Sequence, residues 1–155
     1  MATAPVKITA TDDSGPVHKV QSRNPTTPEI FPSLNVIQQF GLSSHAPVGS
    51  DAVALFIGGD RSNGLIVATN NQTYRIRNLN AGEVALYSQW GDTITIKQGN
   101  TISVTSKGTV EVEAPSVMIA GPGGGKATVH LAGDIIASGT ITADTINAPN
   151  GHVGP

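Results

Sequence analysis

Three apolar pairs follow one another at a fixed interval of eight residues: Ile94 and Ile96, Ile102 and Val104, Val110 and Val112. One polar residue separates the members of each pair, as in Ile-Thr-Ile and Val-Glu-Val. Side chains alternate across a strand, so both members of a pair fall on one face. Between the pairs lie Gly99-Asn100 and Lys107-Gly108, residues suited to tight turns. Val117 and Ile119 continue the series at a spacing of seven, after Ala114-Pro115. A short-period repeat of strand and turn predicts a β-solenoid or an interleaved β-helix. Three or four short rungs give a single-chain solenoid too little core. Three chains wound about one axis would close the core and leave no free strand edges. The repeat therefore predicts an intertwined trimeric β-helix.

Past Gly125 the spacing tightens. Ile136, Ile141 and Ile146 are five apart, separated by Ala-Ser-Gly-Thr and then Thr-Ala-Asp-Thr. One isoleucine per turn with small residues between them predicts a narrow, tapered tip, and Asn147 to Pro155 predicts a compact cap. Every aromatic residue lies at or before Trp90. The expected organisation is a barrel domain over 1–90, a trimeric β-helical shaft over 91–125, and a tip and apex over 126–155.

The first part carries short apolar or alternating runs bounded by turn residues, over 6–11, 17–21, 52–57, 64–69, 72–77 and 83–87. Asp13-Ser14-Gly15-Pro16 and Asn70-Asn71 read as hairpin turns. Arg23 to Pro32, with three prolines, reads as an extended loop, and Ser33 to Phe40 is ambiguous. Five or six short strands fit an OB-like barrel. The fold class expected for the whole chain is all-β.

Composition narrows the function classes. Hydrophobic residues make up 38% and aromatics 4% of the chain, little for a large isolated core, which favours burial against other copies. Phosphate contacts need clustered Lys and Arg, and a net charge of −2 argues against nucleic acid as a specific partner. With no cysteine there are no disulfides or thiolate metal sites. No signal peptide or bilayer-length apolar run is evident, so assembly in a cytoplasm is expected.

Four groups of residues invite chemistry. Ala120 to Thr128 (AGPGGGKAT) has the Gly125-Lys126 of a phosphate-binding loop. It has Ala127 where Ser or Thr would hold magnesium, and Thr128–Leu131 reads as a strand where a helix should begin. The expected role is a joint between shaft and tip. Asp60-Arg61 beside Gly58-Gly59 reads as a surface turn or an inter-subunit contact. Glu111 and Glu113 share the polar face of a strand, with no sugar-binding cleft to make them an acid/base pair. His130 sits at an ordinary outward strand position, and His18 and His45 show no ligand partners. No catalytic residue and no small-molecule substrate are expected.

Gly59-Asp60-Arg61-Ser62-Asn63-Gly64, then Tyr74-Arg75, then Leu79-Asn80-Ala81-Gly82-Glu83-Val84-Ala85-Leu86-Tyr87, resemble in order and spacing the Mu-like phage baseplate assembly and tail-spike family. The likeness is good over 49–119. It implies an N-terminal OB-fold, a trimeric β-helical shaft and a pointed apex, the central membrane-piercing spike of a contractile tail. That would be a non-enzymatic homotrimer in the virion, docked on a baseplate hub protein and contacting the host outer membrane. In such spikes a His-x-His near the C-terminus gathers six imidazoles around one iron. Here Asn150 replaces the first histidine and His152 remains, so three copies of His152 at the axis are the candidate ligands for iron or another transition metal. The competing reading is an OB-fold module for oligosaccharide or nucleic acid carried on a trimerising β-helix. Few aromatics and scattered basic residues disfavour it for single strands. A peptidoglycan hydrolase would need an inserted lytic domain for which the chain is too short.

Overall fold

Strand β1 (Ala2–Asp12) turns Ala4, Val6 and Ile8 inward and leaves Thr3 and Pro5 outside. The same period of two runs through β2 (Lys19–Arg23), β4 (Asp51–Phe56) and the start of β5 (Gly64–Asn70), whereas β3 (Ile30–Val36) turns in Phe31 and Leu34, three apart. Their inward residues, Val20, Phe31, Leu34, Ala52, Ala54, Phe56 and Ile66, form one core. Burying each of the larger ones contributes roughly 1.5–3 kcal/mol. The computed structural model from which these observations come describes residues 2–143.

The five strands close into a barrel in the order β1-β2-β3-β5-β4. Neighbours are antiparallel except β3 and β5, where Asn35 pairs with Leu65 and Val36 with Ile66 in parallel. The N-terminal barrel expected from the alternating runs is present.

One strand lies where prolines argued against it. β3 begins at Ile30, and the loop over 24–29 is closed by the Asn24 amide donating to the Glu29 carbonyl at 2.9 Å. Pro32 is tolerated because the β2–β3 register shifts between Val20 and Ser22, a bulge where a missing N–H costs no ladder bond. Conversely, 72–77 is not a strand. Asn71 accepts the Thr73 amide on its side chain and the Arg75 amide on its carbonyl, and the chain turns.

Three further strands, β6 (Val84–Tyr87), β7 (Thr93–Lys97) and β8 (Thr101–Thr105), form a separate antiparallel sheet in the order β6-β7-β8. The first two pairs of the octad repeat are thus neighbouring strands of a hairpin. Its turn takes positive φ at Gly99 and Asn100, 83° and 58°. β6 lies before and β7 after the expected boundary at residue 90, whereas the chain divides into two compact units between Val110 and Glu111.

Among the described residues no strand forms past Thr105, and the β-helical shaft is not seen in the single chain. Pro122–Gly124 makes one 3-10 turn. Every Val, Leu, Ile and Met between 111 and 143 is exposed. An extended segment needs a neighbour to satisfy its backbone, and one copy of this repeat supplies none. The expected cap over 147–155, with Ile146 and His152, lies outside the described residues.

Candidate functional site

The β6-β7-β8 sheet is inside out. Val84 pairs with Ile96 and Ile96 with Ile102; Leu86 pairs with Ile94 and Ile94 with Val104. Directly paired residues share a face, so these six side chains form two apolar rows of three. All six are exposed, from 46% for Ile94 to 70% for Ile102. The opposite face holds Ala85, Thr95 and Ser103 in one row, and there Thr95 is buried at 8%. A sheet in water ordinarily covers its aliphatic face and wets its hydroxyl face. This sheet does the reverse.

Two carboxylates hold that sheet in register. Glu83, just before β6, accepts the amides of Asn80 at 2.9 Å and of Gln98, just after β7, at 3.1 Å. The Glu83 amide returns a bond to the Asn80 carbonyl, closing a turn in which Gly82 has φ 89°. Asp92, just before β7, accepts the Lys107 amide and the Ser106 hydroxyl, both at 3.1 Å, from the segment just after β8. It also accepts the Ser88 hydroxyl at 3.1 Å. The Asn80 and Gln98 amides hold the Glu83 carboxyl below its ordinary value of 4.5. The Lys107 amide, with the Ser106 and Ser88 hydroxyls, lowers Asp92 from 3.8.

The Gly59–Gly64 phrase belongs to the barrel end. Asp60 accepts the Ser62 amide and hydroxyl, at 2.9 and 2.7 Å, which fixes the β4–β5 turn. Arg61 makes a two-pronged ion pair with Glu29, lowering the Glu29 carboxyl chiefly through the hydrogen bond. Its guanidinium lies over the rings of Phe56 and Phe31, 5.1 and 5.5 Å from their centroids. Arg61 therefore lids the core within its own chain, a partnership the sequence reading missed. Gly64 has no room for a side chain: a Cβ would stand 2.7 Å from Leu34 and 2.8 Å from Phe56.

The glycine loop is closed on itself. The Gly121 amide donates to the Gly125 carbonyl at 2.8 Å, Gly124 to Gly121 at 3.1 Å, and Gly125 to Pro122 at 3.3 Å. Three of the loop's amides are thus already engaged, and among the described residues no helix follows. Glu111, Glu113 and His130 are all exposed and outside any strand.

The structure does bring together two histidines that the sequence left apart. The Nε2 atoms of His18 and His45 both meet the Thr11 hydroxyl, with the ring centroids 5.1 Å apart. Asp13 stands 3.8 Å from His45 Nδ1. Among the described residues no three His, Cys, Asp or Glu side chains are grouped to hold a metal. His152, the candidate metal ligand, lies outside the described residues.

Residues 6–73 match the family model described as Bacteriophage Mu Gp45, N-terminal. The match takes in the barrel strands and the Gly59–Gly64 turn and covers less than half of the chain; 79–87 and the inside-out sheet lie beyond it. No curated protein matched the chain. What the matched part supports is a Mu-like phage structural protein, a virion component of the baseplate class working among other tail proteins. No helix among the described residues is long and apolar enough to cross a membrane.

Proposed function

We propose that this chain is the central spike of the baseplate of a contractile phage tail or phage-like injection system, a homotrimer that pierces the host outer membrane. The observation that carries the reading is the exposed aliphatic face of β6-β7-β8. Further along the sequence Val110, Val112, Val117, Ile119 and Ile141 are exposed in the single chain as well. Covering the six half-exposed residues of the sheet favours association by on the order of 6–9 kcal/mol per copy, before the entropy of joining is subtracted. Three copies around an axis cover the rows mutually. They also give the segments past Thr105 neighbours for their backbone groups.

The mechanics follow from that packing. Force from sheath contraction runs along the axis, and interleaved strands share it among many hydrogen bonds and one continuous apolar seam. The Thr and Ser side chains of the sheet lie on the face opposite that seam. The barrel, whose core closes within one chain, is free to dock on a hub protein. No step requires a bond to be made or broken, in keeping with a non-enzymatic structural protein.

Native mass measurement of the full chain tests the reading: a trimer that persists in detergent is expected, and a monomer at micromolar concentration would end it. The apex belongs to the same proposal. With Asn150 in place of a second histidine, three copies of His152 supply three imidazoles. Untagged wild-type protein is expected to carry up to one transition-metal ion per trimer, and His152→Ala none, by elemental analysis. Equal metal in both would remove His152.

A further inference from the structure

Three of the chain's aromatic side chains gather in one cleft. Tyr74, Tyr87 and Trp90 line a pocket of about 330 Å³ between the barrel's 44–50 and 69–71 segments and the strand β6. Asn70, Gln89 and His45 add polar groups to its wall. No Asp, Glu, Lys or Arg lines it. The back wall is fixed: the Ser50 hydroxyl, fully buried, donates to the Pro47 carbonyl at 2.6 Å and accepts from the Asn71 amide group at 3.0 Å. By contrast, no hydrogen bond ties the side chains of Asn70, Tyr74, Tyr87, Gln89 or Trp90 to another described residue, and Trp90 stands 70% exposed. Wide ring faces, neutral hydroxyls and amides are therefore left without partners in the same hollow.

We infer that this cleft binds a neutral saccharide. A pyranose ring offers an apolar patch of C–H groups to an aromatic face and hydroxyls that both donate and accept, matching Tyr, Asn and Gln side chains. No Lys or Arg lines the cleft, and His45 is the one lining side chain able to carry a positive charge, which disfavours phosphate as the recognised group and so a nucleic acid strand. The volume is at the low end of the range of about 300–1,000 Å³ for small-ligand sites, room for a short run of sugar rings. Tyr87 projects from the hydroxyl face of the sheet, opposite the aliphatic rows. Leu86, a member of those rows, also lines the cleft, so trimerisation through the rows brings a sister copy to its edge, and in this respect alone the inference rests on the spike reading. A spike carrying such a cleft would hold the glycan of the cell surface it meets.

Trp90 is the chain's single tryptophan and reports on the cleft directly. The full-length protein is titrated with maltohexaose, cellohexaose and chitohexaose, and separately with a thymidine oligonucleotide, while its tryptophan emission is followed. A saturable change is expected with at least one of the sugars and none with the oligonucleotide. Tyr74→Ala is expected to weaken the binding about tenfold, and Gln89→Ala to do so with the fold untouched. Sedimentation of each sample separates the two readings, since sugar binding by a monomer would sink the spike and leave the cleft standing. No saturable response to any of the three sugars, an unchanged response in both variants, or a response to the oligonucleotide alone would overturn the inference.

Discussion

The barrel and the β6-β7-β8 sheet use the same alphabet and the same period of two, yet they end in opposite states. In the barrel Ile8, Val20, Phe56 and Ile66 are at most 2% exposed, because five strands curl until their aliphatic faces meet. In the sheet Val84, Ile94 and Ile102 are about half exposed or more, because three short strands cannot curl onto themselves. Alternation in a sequence thus states which residues share a face. It does not state whether the cover for that face comes from the same chain.

The sharpest way to break this comparison is a charge in the aliphatic rows. In the proposed trimer, Ile94→Asp is expected to raise the concentration needed for assembly about 100-fold or more, since a carboxylate cannot be buried unpaired. Barrel signals in a two-dimensional NMR spectrum should stay put; sedimentation velocity gives the first quantity. Were the variant still trimeric at wild-type concentrations, the rows would not be the interface. The converse change is Phe56→Ala, a void in the barrel. Urea unfolding should show a loss of about 3–5 kcal/mol with the oligomeric state unchanged. A loss below about 1 kcal/mol would mean that the barrel core can collapse around the gap.

The smallest effect concerns the register ties. Both Glu83 and Asp92 have folded carboxyl values below their ordinary 4.5 and 3.8. A lowered folded value means stabilisation that is complete above the ordinary value and lost as pH falls through the folded one. Protection from amide exchange, taken relative to the intrinsic rate at each pH, should therefore fall at Gln98 below about pH 4.5 and at Lys107 below about pH 3.8, while protection at Ile66 in the barrel holds. Glu83→Gln should leave Gln98 with low protection that no longer changes with pH. If the variant keeps the wild-type profile, the tie does not support the sheet.

Much of the barrel was legible because Val6 and Ile8 alternate with polar residues and 52–57 is an unbroken apolar run of strand length, each bounded by turn residues. β3 was not, since Pro32 argues against a strand unless a bulge excuses it, and the bulge is a property of the β2 pairing. The aliphatic face of the site was readable as pairs at 94/96 and 102/104, but not that Val84 and Leu86 of the preceding segment complete its rows. Arg61 over Phe31 and Phe56, the two histidines on Thr11, and the aromatic cleft all join residues far apart in sequence. Their signal is three-dimensional, and one sequence does not carry it.

Glu83 and Asp92 clamp opposite ends of one sheet, each to an amide fifteen residues further along. A slip of a single residue would turn the aliphatic rows away, and these clamps forbid it before any sister copy arrives. In the proposed assembly, encounter then takes place between faces already aligned, and that part of the ordering entropy is spent ahead of collision. Residues 111–143 have few such restraints. Interlacing would accordingly run outward from residue 84 like a zip started at its fixed end, and dilute refolding would pass through a species joined over 84–105 and still open beyond it.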